Sequence, residues 1–445
     1  MPRRRKRDLL IKGFSKLLKE DKVKIVADLM DKQVESMELM QSFWHSDHSV
    51  QKIFDEFSEN TISNFYIPYG VAPNVVINGQ NHLVPLVIEE SSVVAAASSS
   101  AKFWSSRGGF RAEVVDIVKI GQVHFTWKGD KKKLVSVFDQ VKARLREATK
   151  HITANMEKRG GGILDFELKD MSDKIDDYYQ IMVSFDTADS MGANFINSCL
   201  EEFANELKSF FATEEVFEGE EKECVIIMSI LSNYTPDCLV KTWVECDFSE
   251  LDNIDESLSG EQFAEKFQLA VKVAELDEYR ATTHNKGIFN GIDAVAIATG
   301  NDFRAIEAAG HTYAARGGSY KSLSTVELKE DRFKFILEVP IALGTVGGLT
   351  NLHPLAKHSI EMLGNPNAKK LMMIVAVMGL ANNFAAIRSL VTKGIQIGHM
   401  KMHLLNILNH FEATESEKEK AVEYFMDHRV SFANVSEFIT NQRKK

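Results

Sequence analysis

Apolar residues in the first part of the chain follow two different periods. Between residues 16 and 60 they recur near helical spacing, as at Leu18, Ile25 and Leu29, which predicts helices. Residues 82–88 form a short apolar run that predicts a strand, and this strand leads into Glu89-Glu90-Ser91-Ser92. The run of alanine and serine over residues 95–101 then predicts a closely packed helix.

The block over residues 113–232 gives the clearest pattern. Residues 113–127 alternate between apolar and polar side chains and contain β-branched residues, which predicts a strand. Residues 131–158 have the composition of a helix, and residues 163–168 and 179–185 predict strands. Residues 192–211 predict a helix because an apolar stripe recurs every four residues, and residues 224–231 predict a last strand. The stripe consists of Phe195, Cys199, Phe203, Leu207 and Phe211. The order β-α-β-β-α-β is that of a ferredoxin-like unit.

The remaining pattern is mostly helical. Ser259 and Gln262 form a capping box that opens a helix to about Leu276. Residues 324–328 and 333–339 predict a hairpin, residues 368–392 predict one long apolar helix, and a charged tail predicts helices near 395–411, 415–427 and 431–441. The fold class predicted is α+β: a helix-rich large domain (1–112 and 233–393), an inserted ferredoxin-like domain (113–232) and a C-terminal helical module (394–445).

Composition excludes several classes of protein. The 445 residues are 44% hydrophobic and 26% charged, and the net charge of −10 disfavours a dedicated nucleic-acid binder. The longest nearly unbroken apolar run, 371–381, is too short to cross a bilayer, and no apolar segment follows the basic start as a signal peptide requires. The four cysteines show no zinc spacing. We therefore expect a cytoplasmic protein with reduced thiols, no membrane anchor and no metal centre.

The usual motifs of hydrolases, phosphate loops and standard dinucleotide folds are absent from the sequence. Two polar clusters stand where a strand meets a helix. Glu89-Glu90-Ser91-Ser92 is either a helix start that benefits from the helix dipole or part of a site. Residues 189–194, Asp-Ser-Met-Gly-Ala-Asn, are either a plain helix cap or an anion site built on free N–H groups.

Three further clusters contain candidate chemical groups. Residues 279–291 are dense in hydrogen-bond donors, and Lys286 there requires a charged partner beside an apolar helix; an ion pair at a domain rim is the alternative. Asp302 either caps the helix that follows it or takes part in a site. His399, in Gly398-His399-Met400, is either a structural histidine or a proton donor.

Taken together, these clusters resemble the 3-hydroxy-3-methylglutaryl-coenzyme A reductases of the soluble, bacterial-type class, from about residue 14 to 430. The resemblance depends on seven motifs that occur in one order: Ile67-Pro68-Tyr69-Gly70-Val71-Ala72, Val84-Pro85-Leu86-Val87-Ile88-Glu89-Glu90, Asp189-Ser190-Met191-Gly192-Ala193-Asn194, Thr283-His284-Asn285-Lys286-Gly287, Ala298-Thr299-Gly300-Asn301-Asp302, Val346-Gly347-Gly348 and Gly398-His399-Met400.

The resemblance implies roles for individual residues. The four positions that match catalytic residues are Glu90, Lys286, Asp302 and His399. The positions that match cofactor contacts are Asp189, Met191, Gly192, Asn194 and Asn233, and those that match substrate contacts are Ser92, Arg280, Asn290 and Asn383. Two positions depart from a close family member: Ser91 replaces a proline, and Ser15 replaces an arginine that binds coenzyme A, with Lys16 adjacent.

The reaction implied is reduction of the thioester 3-hydroxy-3-methylglutaryl-CoA to mevalonate and coenzyme A. It uses two nicotinamide hydrides and passes through bound mevaldyl-CoA and mevaldehyde, in the mevalonate pathway that makes isoprenoid precursors. The family also implies a homodimer with a shared active site. The alternatives are the same enzyme run oxidatively, a thioester hydrolase and a non-catalytic paralogue.

A cofactor preference follows from one helix. In an NADH-using member of the family, an acidic residue lies seven positions before the triple glycine, and this position is Thr153 here. Acidic groups there favour a ribose 2′-hydroxyl and repel a 2′-phosphate. Lys150, His151, Lys158 and Arg159 lie nearby, so we predict a contact at Thr153 and a preference for NADPH, with dual use of NADH as the alternative.

Overall fold

The protein is described here by a computed structural model over residues 11–392, 404–426 and 428–444. His399 and part of the predicted helix 395–411 lie outside these residues. Two compact units are present: one is built from the chain up to Pro68 together with residues 352–354, and the other contains the remainder. In the first unit, a 3₁₀ turn (Phe14–Lys16) precedes three helices, α1 (Lys19–Ala27), α2 (Gln33–Ser42) and α3 (His48–Glu56). The helical prediction for this part is confirmed.

The second unit begins with a hairpin of β1 (Tyr69–Ile77) and β2 (Gln80–Val87). Asn78 and Gly79 turn the chain, and both have the positive φ angles of a tight hairpin turn. The chain then enters α4 (Ser91–Ser105), for which Glu90 is the N-cap. The small residues of α4 permit close packing, and the buried Ser100 hydroxyl donates to the carbonyl of Ala381 at 2.6 Å.

After α4, the short strand β3 (Arg111–Val114) precedes the ferredoxin-like unit. Its elements are β4 (Lys119–Trp127), α5 (Lys131–Ala148), α6 (Lys150–Glu157), β5 (Gly162–Asp170), β6 (Tyr178–Asp186), α7 (Ala193–Thr213) and β7 (Cys224–Ser232). The four strands form an antiparallel sheet in the order β5-β6-β4-β7. The predicted stripe of α7 packs in this unit's own core, with Phe203 and Phe211 fully buried.

A second four-stranded sheet belongs to the large, helix-rich part. The remaining elements are β8 (Leu239–Asp247), α8 (Gly260–Leu276), α9 (Glu278–Ala298), α10 (Phe303–Ala314), β9 (Ser324–Lys329), β10 (Arg332–Pro340), α11 (Gly348–Leu352), α12 (Pro354–Met362) and α13 (Ala368–Val391). The sheet order is β3-β8-β10-β9, and its pairs are antiparallel. Together with the antiparallel ferredoxin-like sheet and the helices, this confirms the α+β class.

Helix α13 is apolar on all sides and is long enough to span a membrane by length and composition. However, 83% of its most apolar window is buried inside the protein, where it packs in the large core with residues of α4, α8 and α9. An all-round apolar helix of this kind forms the centre of a large core.

The C-terminal part has a small core of its own. Residues 404–410 are helical, and α14 (Glu415–Tyr424) and α15 (Phe432–Arg443) follow. Leu408, Ala421, Phe425 and Val435 are among the buried residues that join these helices. The predicted helical module is therefore present over its described residues.

One predicted element differs from the structure. Residues 113–127 were expected to form one strand, but the chain leaves the strand conformation between Val114 and Lys119. Strand β3 pairs with β8 in the large sheet, whereas β4 lies in the ferredoxin-like sheet. The backbone changes sheets at this point, and alternation of side chains along a strand carries no information about which sheet it joins.

Candidate active site

Glu90 and Lys286 converge although nearly 200 residues separate them in the sequence. Glu90 ends the β2–α4 connection, and Lys286 lies on α9; Lys286 Nζ and Glu90 Oε2 are 3.9 Å apart. The Ser92 hydroxyl donates to Glu90 Oε1 and fixes the other carboxylate oxygen. The side chains of Lys286 and Glu90 remain 65% and 40% exposed. A bound molecule can therefore reach both groups.

The predicted substrate residue Asn290 shares a face of α9 with Lys286, and Arg280 lies six residues before Lys286 on the same helix. The opposite face of this helix, including Asn285, Ile288 and Ile292, is buried. Asn290 follows Lys286 by one helical turn, which places the two side chains next to each other. Within the described residues the guanidinium of Arg280 forms no ion pair, so its charge is available to an anionic ligand.

Asn383 supports this helix from behind. It is 1% exposed; its amide donates to the carbonyl of His284 at 3.3 Å, and its carbonyl oxygen accepts from Ser324 at 2.9 Å. His284 is itself buried next to the Ser324 hydroxyl, and burial, with the Arg280 charge nearby, lowers its pKa to about 3. Asn383 therefore holds the backbone of α9 at His284, two residues before Lys286.

Asp302, one of the four predicted catalytic residues, pairs with a neighbouring arginine at the start of α10. It is the N-cap of α10, and its carboxylate also accepts from Arg304 Nε at 3.0 Å and Nη2 at 3.1 Å. Partial burial works against ionisation of Asp302, but the hydrogen bonds from Arg304 and Ala305 outweigh it and lower the pKa. Within the described part of the chain, its ion-pair partner is Arg304, and Lys286 does not come within 4 Å of it.

Asp302 lines a cavity of about 770 Å³ between the ferredoxin-like unit and the large part. The sequence-predicted residues Met191, Gly192 and Asn194 line it as well. Its other walls include Arg159, Arg304 and the glycines Gly300, Gly344, Gly347 and Gly348. No side chain caps the N-terminus of α7. Its first N–H groups therefore face this cavity without a side-chain acceptor.

Two glycines bring residues 186–194 into position; this loop contains the predicted cofactor contacts and is called the cofactor loop below. Gly192 has a φ of +87°, which L-residues rarely adopt, and a Cβ there would meet Thr187 at 2.3 Å. A Cβ at Gly344 would lie 2.4 Å from the Met191 nitrogen. The predicted residue Asp189 accepts a hydrogen bond from the Ala368 N–H at 2.8 Å. These close approaches hold the cofactor loop against the large part.

Asn233 and Thr153 lie outside the large cavity. Asn233 lines a neighbouring cavity of about 20 Å³ that shares Met191 and Ala193 with the large one. Thr153 is only 1% exposed and its side chain lies in the interior, so the contact at this position stays a prediction. From the same segment, Met156 and Arg159 line the large cavity instead.

Sequence reasoning missed Arg304 and the buried Lys119 as parts of this region. Arg304 follows a recognised motif by two residues, and its pairing with Asp302 was detectable as a possible capping-turn contact. Lys119 gave no signal, because it begins an alternating strand.

All four cysteines are free, and burial raises the pKa of each thiol. No cluster of metal-ligating side chains occurs among the described residues.

Comparison with known families gives a match to a model described as "Hydroxymethylglutaryl-coenzyme A reductase" over residues 19–404. The chain is 36% identical over 421 residues to the 3-hydroxy-3-methylglutaryl-coenzyme A reductase of Archaeoglobus fulgidus, which covers 93% of this chain and 90% of that protein. It is 30% identical to a probable reductase of the same name from Borreliella burgdorferi, over 92% of each chain.

Solved structures agree with the sequence matches. The class II reductase of Streptococcus pneumoniae, bound to NADPH in open conformations, has a TM-score of 0.70 and 36% identity over 86% of this chain and 99% of that one. Another structure of the reductase from the same organism has a TM-score of 0.71 and 35% identity, and covers 97% and 99% of the two chains.

Proposed function

This chain belongs to the hydroxymethylglutaryl-coenzyme A reductase family, and we propose that it reduces 3-hydroxy-3-methylglutaryl-CoA to mevalonate and coenzyme A with two hydrides from NADPH. The observation that carries the proposal is the convergence of Glu90, Ser92 and Lys286. The same protein has a glycine-lined cavity, lined also by Asp302 and by the predicted cofactor residues Met191, Gly192 and Asn194. The intermediates proposed are bound mevaldyl-CoA and mevaldehyde. The domain boundaries given above, a cytoplasmic location and a homodimer with shared active sites belong to the same proposal.

The large cavity fits a dinucleotide in size and chemistry. Its volume of about 770 Å³ lies within the usual range for small-molecule sites. Gly347 and Gly348 have positive φ angles and nothing within 4 Å of a Cβ position, so they leave open space at the wall. The uncapped start of α7 offers N–H groups to phosphate oxygens. When bound there, NADPH would supply the hydrides.

Lys286 has the position required of an electrophilic catalyst. Negative charge develops on the thioester oxygen in the first reduction and on the aldehyde oxygen in the second. A fixed ammonium group stabilises such charge most when it is already in place. The ion pair with Glu90 and the support from Asn383 hold the Lys286 segment, so we assign to Lys286 the stabilisation of both oxyanions.

The proposed proton donors are Glu90 and His399. Glu90 Oε2 lies 3.9 Å from Lys286 Nζ, so an oxygen bound to the ammonium group would also be near this carboxyl group, and we assign to Glu90 the proton that completes the alcohol. The role of His399, protonation of the departing coenzyme A thiolate, comes from the family resemblance. Asp302 keeps a negative charge next to the cavity, where its pairing with Arg304 and the α10 N–H groups favours the ionised form. We propose that it orients the cationic groups around the reacting oxygen.

The direct test is the stoichiometry of the reaction. The full-length protein, given 3-hydroxy-3-methylglutaryl-CoA and NADPH, should consume two NADPH for each thiol released, measured by nicotinamide absorbance and a thiol reagent. Thiol release without NADPH oxidation would identify a thioester hydrolase, and the absence of both would identify a non-catalytic paralogue. The oxidative direction is measured with mevalonate, coenzyme A and NADP⁺ in the same assay, because an enzyme catalyses both directions.

Cofactor preference is expected to depend on Arg159. Arg159 lines the large cavity, whereas Lys150 is paired with Glu147 at 2.6 Å. Arg159→Ala should lower the ratio of kcat/KM for NADPH to that for NADH by roughly 10-fold or more, because a guanidinium pairs strongly with a phosphate. Lys158→Ala is the matched control, since Lys158 is exposed and does not line the cavity. An unchanged ratio in Arg159→Ala would exclude this contact with the 2′-phosphate.

A further inference from the structure

Lys119 is a buried cation directly beneath the cofactor loop. It begins β4, and its side chain is 5% exposed. Its ammonium group donates to the Thr187 hydroxyl and, at 2.9 Å, to the Ser190 carbonyl. Within the described residues no carboxylate lies within 4 Å of it. Burial lowers the pKa of Lys119, and Cys238 and Asp186 are the nearby groups that oppose this effect.

The cofactor loop keeps its own hydrogen bonds without Lys119. The Thr187 hydroxyl donates to the Ser190 carbonyl at 2.6 Å, the Ser190 hydroxyl donates to the Thr187 carbonyl at 2.9 Å, and the Ala188 N–H donates to Asp186 at 2.7 Å. The ammonium group is therefore not needed to satisfy buried acceptors. Burying a charge without a charged partner costs free energy. Such a buried charge is commonly retained where it serves a ligand.

The position of this charge indicates which ligand it serves. Lys119 lines the small cavity together with Met191, Ala193 and Asn233, and two of these also line the large cavity. Thr235, in the same small cavity, is 2% exposed, and its hydroxyl has no hydrogen-bond partner. A buried positive charge thus lies behind the uncapped N-terminus of α7, whose N–H groups attract anions.

We propose that Lys119 is a positioning residue for the cofactor: it holds the 187–190 turn from below and adds its charge to the α7 N-terminus, where the pyrophosphate of the dinucleotide binds. This inference rests on the proposed function, since it assumes that the large cavity binds NADPH. It assigns the pyrophosphate to the α7 N-terminus and the 2′-phosphate to Arg159. The two cations should therefore respond to different fragments of the cofactor.

The test is equilibrium binding by calorimetry to the full-length protein, with NADPH, ADP-ribose and 2′-AMP as probes. Lys119→Met should bind NADPH and ADP-ribose about 10- to 100-fold more weakly, the range expected for lost hydrogen bonds from a charged group. Binding of 2′-AMP, which has no pyrophosphate, should not change. In kinetics the KM for NADPH should rise while kcat and the KM for the thioester stay near the wild-type values. The melting temperature should be equal or higher, because an apolar side chain replaces a buried charge.

Two further variants keep the outcome decisive. Lys241→Met is the control, because Lys241 is a lysine of β8 paired with Glu338 at 3.1 Å and does not line either cavity. Should Lys119→Met not fold, Lys119→Gln, which keeps a donor but removes the charge, should still bind ADP-ribose more weakly than the wild type does. NADPH affinity within about twofold of wild type, or equal losses for all three probes, would overturn the proposal for Lys119. Failure of the wild-type protein to bind NADPH would instead refute the proposed function.

Discussion

Lys286→Ala should lower kcat for the thioester by about 10³-fold or more and should lower reduction of free mevaldehyde to a similar extent. Both reductions place negative charge on an oxygen next to the same ammonium group, and the loss of one oxyanion donor costs about 10²- to 10³-fold where the donor is neutral. The measurement is the steady-state rate with each substrate, together with the affinity for NADPH. The affinity should persist, because Lys286 does not line the large cavity proposed to bind NADPH.

Lys272→Ala is the matched control for this variant. Lys272 is also an exposed helical lysine in an ion pair, with Glu275 at 2.6 Å, and its substitution should leave both rates unchanged. A Lys286→Ala enzyme that reduces mevaldehyde at nearly the wild-type rate would contradict the assigned role.

The same variant tests the proposed dimer: mixed with inactive His399→Asn subunits, it should regain some activity if the two residues meet across a subunit interface. If each site is built from one chain, mixing will restore no activity.

Glu90→Gln should reduce the rate of mevaldehyde reduction by about 10²- to 10⁴-fold, the usual effect of a lost general acid. Glutamine preserves the shape of the side chain and can still accept a hydrogen bond from Ser92, but it cannot deliver a proton to the alkoxide.

Glu89→Gln is the control for Glu90→Gln. Glu89 is the preceding carboxylate and is exposed, whereas the Glu90 side chain is partly buried and is the one whose oxygen approaches Lys286. The control should keep wild-type activity with both substrates. Wild-type reduction of mevaldehyde by Glu90→Gln would show that another group supplies the proton.

Local pattern accounts for most of the secondary structure. The stripe on α7, the capping box of α8 and the all-round apolar composition of α13 each depend on interactions within one element, and each element was placed close to its observed bounds. The β-α-β-β-α-β order was likewise readable, because strand and helix periods alternate clearly over residues 119–232. The candidate residues Glu90 and Asp302 were recognisable because each is the N-cap of a helix, and Asp189 because it lies in the loop that leads into α7.

The tertiary structure decided what the pattern could not. The transfer of the chain from the large sheet to the ferredoxin-like sheet between Val114 and Lys119 depends on pairing with distant strands. Helical period likewise left open which face of the helix around Thr153 is buried, and Thr153 points into the interior whereas Arg159 lines the cavity. A local pattern records the tendency of a residue to be buried, but not the partner that buries it.

The sequence by itself therefore determined the elements, the α+β class and, through its motifs, the family and the residue types needed for the chemistry. Only the tertiary structure brought Lys286 within 3.9 Å of Glu90, paired Asp302 with Arg304, and placed the Lys119 charge beneath the cofactor loop. Each of these contacts joins segments that are distant in the sequence or lies at the end of an element. Their geometry depends on how the helices and the two sheets pack together, and the spacing of residues along one chain does not encode that packing in a form that can be read locally.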